Sequence, residues 1–138
     1  TNGTQPLSDE FVTFFDEWQH VYGRELFFSV SPKLWTVAGE RRDRAIKPEN
    51  LSKYHLLSSQ GQLKFVANGK DECWEEIDEV VKMFRDVGID WPVWIMPVGA
   101  REEEQSATAG DVAKMAFERG YNVAGRMHVY LFGNAIGT

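Results

Sequence analysis

Ser31-Pro32-Lys33 comes directly after the apolar run Leu26-Phe27-Phe28. If that run is a strand, the tripeptide stands at a strand's carboxyl end, where α/β proteins bind ligands. A hydroxyl, a rigid turn and an ammonium suit an anionic or polyol group such as a carboxylate or a ribose. A plain turn with a solvated lysine is the competing account. Met96-Pro97-Val98-Gly99 closes a second apolar run in the same way, as a strand end and turn. Lys64 lies among Leu63, Phe65 and Val66. An ammonium there is costly to bury without a partner, and period-two geometry sets it on the face opposite Leu63 and Phe65. It either points to a ligand region or snorkels to water. His128 belongs to the run Met127-His128-Val129-Tyr130-Leu131-Phe132, and a lone histidine is more often structural than ligating.

Other chemistry is missing from the pattern. Cys73 is the one cysteine, so no internal disulfide forms and nothing suggests secretion. Beside Trp74 in a helical stretch it reads as a packing or semi-exposed thiol, with no visible base. His20 and His55 stand among polar neighbours without metal-ligand spacing. Glu102-Glu103-Glu104 reads as a solvated charge run at a helix start. No P-loop, dinucleotide fingerprint or nucleophile elbow is present. The net charge of −6, with only Arg41-Arg42-Asp43-Arg44 as a basic cluster, argues against nucleic acid as a partner. No apolar run approaches the roughly 20 residues of a membrane span. The start of the chain shows no signal peptide, and a cytoplasmic setting is expected.

The elements that must hold these groups are legible in part. Ser8, followed by Asp9 and Glu10, begins a helix to about Val21. Its apolar stripe is Phe11, Phe14, Phe15, Trp18 and Val21, and Gly23 ends it. Glu25–Val30 reads as a strand buried on both faces. Trp35–Lys47, polar and of mixed charge, reads as a loop. Pro48 opens a short helix to about Leu57. Gln62–Ala67 and Val93–Val98 are strands, and Asn122 to about Phe132 holds another. Asp71–Val87 is the clearest helix, with Trp74, Ile77, Val80, Val81, Phe84 and Val87 on one face. A further helix runs from about Gln105 to Arg119. The result is an α/β chain of about four parallel strands alternating with helices, with strands about 30 residues apart. With 138 residues, 43% of them hydrophobic, residues 1–138 are expected to form a single domain.

These runs, in order, are Phe27-Phe28-Ser29-Val30-Ser31-Pro32-Lys33-Leu34, Leu63-Lys64-Phe65-Val66, Trp94-Ile95-Met96-Pro97-Val98-Gly99 and His128 to Asn134. As a set they resemble the C-terminal half of the 7-carboxy-7-deazaguanine synthase family, radical S-adenosylmethionine (SAM) enzymes of 7-deazapurine (queuosine-type) biosynthesis. The resemblance covers nearly the whole chain. Its single motifs are weak, and their ordered spacing carries it. It implies the C-terminal portion of a partial (β/α)6 barrel. The family's CxxxCxxC motif belongs to the N-terminal half and is absent here. In the family a 4Fe–4S cluster reductively cleaves SAM. The radical then takes hydrogen from 6-carboxy-5,6,7,8-tetrahydropterin, whose ring contracts, and Mg²⁺ is also used.

By this resemblance Ser31, Pro32, Lys33, Met96, Pro97, Val98 and Gly99 contact SAM, and His128 and the Thr138 carboxylate meet the pterin-type substrate; Lys64 joins them as a substrate-binding residue if its face of the strand is the barrel interior. Met96 stands where glutamine is usual and Gly99 where an acidic residue is frequent, so backbone groups rather than side chains would read the adenine edge there. Thr1-Asn2-Gly3-Thr4 matches the tail of a family segment without its glutamate. It lacks an initiator Met and reads as part of a longer frame. No metal ligand is expected in this chain, nor radical activity from it alone. The expected partners are the missing N-terminal half and a second copy of the chain. Two other classes fit the same pattern: a glycyl-radical-activating type of radical SAM enzyme, and a non-catalytic nucleoside-binding α/β module.

Overall fold

The computed structural model describes residues 1–99, 102–127 and 131. Helix α1 spans Asp9–His20, and Ser8 caps it by accepting the Phe11 amide at 3.2 Å. Strand β1 (Phe28–Val30) leads into two single-turn helices, α2 (Trp35–Ala38) and α3 (Arg42–Ala45). Then follow α4 (Pro48–Leu57), β2 (Gly61–Ala67), α5 (Asp71–Asp86), β3 (Val93–Pro97), α6 (Glu102–Glu118) and β4 (Asn122–Val123). All neighbouring strands pair in parallel, in the order β1-β2-β3-β4. A doubly wound sheet reverses its strand order partway. This one does not, so its helices can gather on one face, as along an arc of a barrel.

The two faces of the sheet differ. In β2 the residues Gly61, Leu63, Phe65 and Ala67 are buried while those between them are half-exposed, and β3 alternates in the same way. Leu63 pairs with Val93 and Phe65 with Ile95, so buried residues lie in rows across the strands. Onto this face α5 lays Trp74, Ile77, Val80 and Phe84, each essentially inaccessible, and α6 adds Val112 and Ala116. Each of the larger aliphatic and phenyl side chains among them contributes about 1.5–3 kcal/mol by leaving water. The opposite face carries Ser29, Gln62, Lys64, Val66, Trp94 and Met96, all half-buried. No described helix packs over it.

The structure corrects several expectations. The first strand is only Phe28–Val30 and is not buried on both faces, since Phe27 is 56% exposed. Trp35–Lys47 is not a loop, because side chains distant in sequence hold two short helices there. The stripe of α1 is only partly used: Phe11 packs on the core, but Phe14 and Val21 are exposed. Val87 likewise stays 40% exposed at the end of α5. The last strand ends at Val123, and Met127 is helical.

Thr1 donates its ammonium to the Ser29 carbonyl at 3.1 Å and accepts the Ser31 amide at 2.9 Å. This is the pattern of a parallel strand pair on the outer edge of β1. Asn2 Oδ1 then accepts the amide and hydroxyl of Thr4, forming a tight turn.

Candidate functional site

The carboxyl ends of β1, β2 and β3 surround a cleft of about 360 Å³. Pro32, Lys33 and Leu34 supply one side, directly after β1. Val98 and Gly99 supply the other, after β3, and Val66 of β2 lies between. The Val98 amide donates to the Ala67 carbonyl at 2.8 Å, extending the β2–β3 ladder to the cleft's rim. Val37 and Ala38 of α2 form a further wall, with Glu104 of α6 and Arg126 at the margin. Arg126 Nη1 donates to the Gly99 carbonyl at 3.2 Å, which ties the segment after β4 to the turn after β3.

The lining is mainly apolar, with cationic groups at its edge. Lys33 is exposed and makes no hydrogen bond or ion pair among the described residues. Its ammonium is therefore available to an anionic group of a ligand. Leu34, Val37, Val66 and Val98 offer surface to a flat ring, and backbone groups at the strand ends offer fixed donors and acceptors. A pocket of this size and character fits a nucleoside with a charged appendage.

The expected site residues divide into three groups. Pro32, Lys33, Val98 and Gly99 meet at the cleft. Ser31, Met96 and Pro97 do not face it. Ser31 is turned to the Thr1 edge through its amide, Pro97 is buried, and Met96 is half-buried in register with Val66 on the open face. Lys64 lies on that face too, opposite Leu63 and Phe65 as period two requires, and pairs in register with Trp94. Among the described residues it has no polar partner. Beside it, Gln62 Nε2 donates to Ser29 Oγ at 2.9 Å. His128 and Thr138 fall outside the described residues. Sequence reasoning missed Val66, Val37, Glu104 and Arg126. None of the four is marked as a site residue by its surroundings in the sequence.

The cysteine content of the chain does not fit the cluster that the resemblance implies. Cys73, the one cysteine, is fully buried in the core on α5. Among the described residues no group of three or more His, Cys, Asp or Glu side chains gathers that could hold a metal ion.

The fold defines an α/β protein with a cleft at the ends of a sequentially ordered parallel sheet. In sequence, the chain is similar to 7-carboxy-7-deazaguanine synthase from Rhodopirellula baltica, with 37% identity over 108 residues. That alignment covers 78% of this chain and 39% of the relative's length, so the resemblance read from the segments above is borne out. No family model matches the chain, and no solved structure matches it. No helix among the described residues is long and apolar enough to cross a membrane.

Proposed function

We propose that this chain, as one domain, supplies part of the SAM pocket and part of the substrate pocket of a radical SAM enzyme of the 7-carboxy-7-deazaguanine synthase type. The observation that carries the reading is the convergence of Pro32-Lys33 and Val98-Gly99, more than sixty positions apart in the sequence, on one cleft at the strand ends. In this reading the adenine ring lies against Val66 and Val98, backbone groups of Val98 and Gly99 read its edge, and the Lys33 ammonium holds the carboxylate. When bound, SAM supplies a carbon radical for hydrogen abstraction once an iron–sulfur cluster reduces it. This chain contributes no ligand to that cluster and has no radical SAM activity by itself.

The pterin-type substrate occupies the open face of the sheet. Lys64 there offers an ammonium to the substrate's carboxylate, and Trp94 beside it offers a ring surface. The N-terminal half of the barrel closes this face from the β1 side. The hydrogen bonds of Thr1 along β1 support that placement, because that edge already accepts a parallel neighbour.

The test is calorimetric titration of the chain with SAM. Binding that weakens roughly tenfold in Lys33→Ala supports the reading, since a charge-assisted contact is worth about 1.5–3 kcal/mol. Absence of SAM binding refutes it. Paired with an N-terminal half that carries the cluster motif, turnover of 6-carboxytetrahydropterin separates this function from a glycyl-radical-activating one. SAM binding without cleavage in that pairing identifies a binding module.

A further inference from the structure

One wall of the cleft is a helix too short to hold itself. Isolated helices of a single turn are not stable in water, and α2 has four residues. What holds it comes from elsewhere. The Trp35 amide donates to Glu76 Oε1 at 2.9 Å. The Thr36 amide and hydroxyl donate to Glu76 Oε2 at 2.9 and 2.7 Å. The Thr36 carbonyl accepts from Asn68 Nδ2 at 3.3 Å, one residue past β2. Both oxygens of a single carboxylate on α5 are thus committed to the first two residues of α2, and the next two residues, Val37 and Ala38, face the cleft. Glu76 does not face the cleft itself.

We propose that Glu76 is a positioning residue for the strand-end cleft, setting the α2 wall through Thr36 and thereby the affinity for a nucleoside-type ligand. This rests on the reading of the cleft as the SAM site. The chemistry of the contact makes the assignment specific. All three groups aimed at Glu76 are donors, so an amide in its place turns an N–H₂ toward one of them. Glu76→Gln is nearly isosteric yet breaks the clamp. Thr36→Val removes one donor and keeps the shape, and Thr36→Ser keeps the hydroxyl.

The experiment is titration of the chain and these three variants with SAM, together with amide hydrogen exchange at Trp35 and Thr36. Glu76→Gln is expected to bind roughly tenfold more weakly and Thr36→Val roughly threefold, as lost hydrogen bonds of this kind imply. Thr36→Ser is expected to match the unaltered chain, and the Trp35 and Thr36 amides to lose protection in Glu76→Gln while the amides of α5 keep theirs. Unchanged affinity and unchanged protection in both Glu76→Gln and Thr36→Val overturn the proposal. If Glu76→Gln does not fold, the Val and Ser pair at Thr36 decides. If the unaltered chain binds no SAM, the nucleoside reading fails separately, and the exchange data alone decide whether Glu76 holds the wall.

Discussion

Gly3 sits against the core with φ +80, and a Cβ there would lie 2.7 Å from Leu51 Cδ1 and 2.9 Å from Val30 Cγ1. Both the backbone angle and the space demand glycine. Gly3→Ala is therefore expected to destabilise the chain by about 1–3 kcal/mol, read as a lower denaturant midpoint at unchanged slope. The turn was visible in Asn2-Gly3 as a dipeptide, but not the cause of its strictness, which is a leucine from α4 and a valine from β1. The site shows the same division. Lys33 and Gly99 were legible because each follows an apolar run that could only be a strand. Arg126 was not, because its role is a bond to the carbonyl of Gly99, and nothing near Arg126 in the sequence announces that.

At the scale of elements, Asp78 of α5 joins the end of α6 to the start of β4. It accepts Arg119 Nε at 3.0 Å and the Tyr121 hydroxyl at 2.9 Å, while the Arg119 guanidinium lies 4.8 Å above the Trp74 ring. Burial, and then the hydrogen bond to Asp78, push the Tyr121 phenol up to about 12. An unfolded tyrosine titrates near 10. The fold therefore favours the protonated phenol. Its contribution to stability is complete below about pH 10 and is lost as pH rises through about 12. Denaturation at rising alkaline pH should show that loss, and Tyr121→Phe should remove this part of the pH dependence. Elements built on long periodicity, α5 above all, were legible because their apolar spacing answers to one large core. The single turns α2 and α3 were not. Glu76 reaches α2 from forty positions away, and Arg42 of α3 pairs with Glu79, so mixed charge that suggested a loop is in fact the attachment of two helices to α5.

For the whole molecule the governing fact is a sheet whose helices, among the described residues, cover one face. Among the described residues, Phe27, Trp94 and Met96 lie on the side without helices, and the outer edge of β1 meets only Thr1. Exposed apolar surface and a free strand edge both promote association. The chain alone is expected to sediment as a concentration-dependent oligomer. Phe27→Glu should shift it toward monomer without lowering its melting temperature, and a monomeric unaltered chain at high concentration would contradict this account. That the strands run parallel was legible from their spacing. The one-sided covering was not, because apolar runs such as Leu26-Phe27-Phe28 look the same whether both faces are packed or one.

Cys73 now takes on a different meaning. It is the one thiol in the sequence, has no exposed surface, and is held in the first turn of α5 against the sheet. A reagent in solution cannot meet it while that helix is seated. The speed at which the native chain is alkylated therefore reports how readily α5 lifts from the sheet. The molecule carries a built-in clock for the opening of its own core, one that ticks more slowly whenever a ligand or a second half holds that core shut.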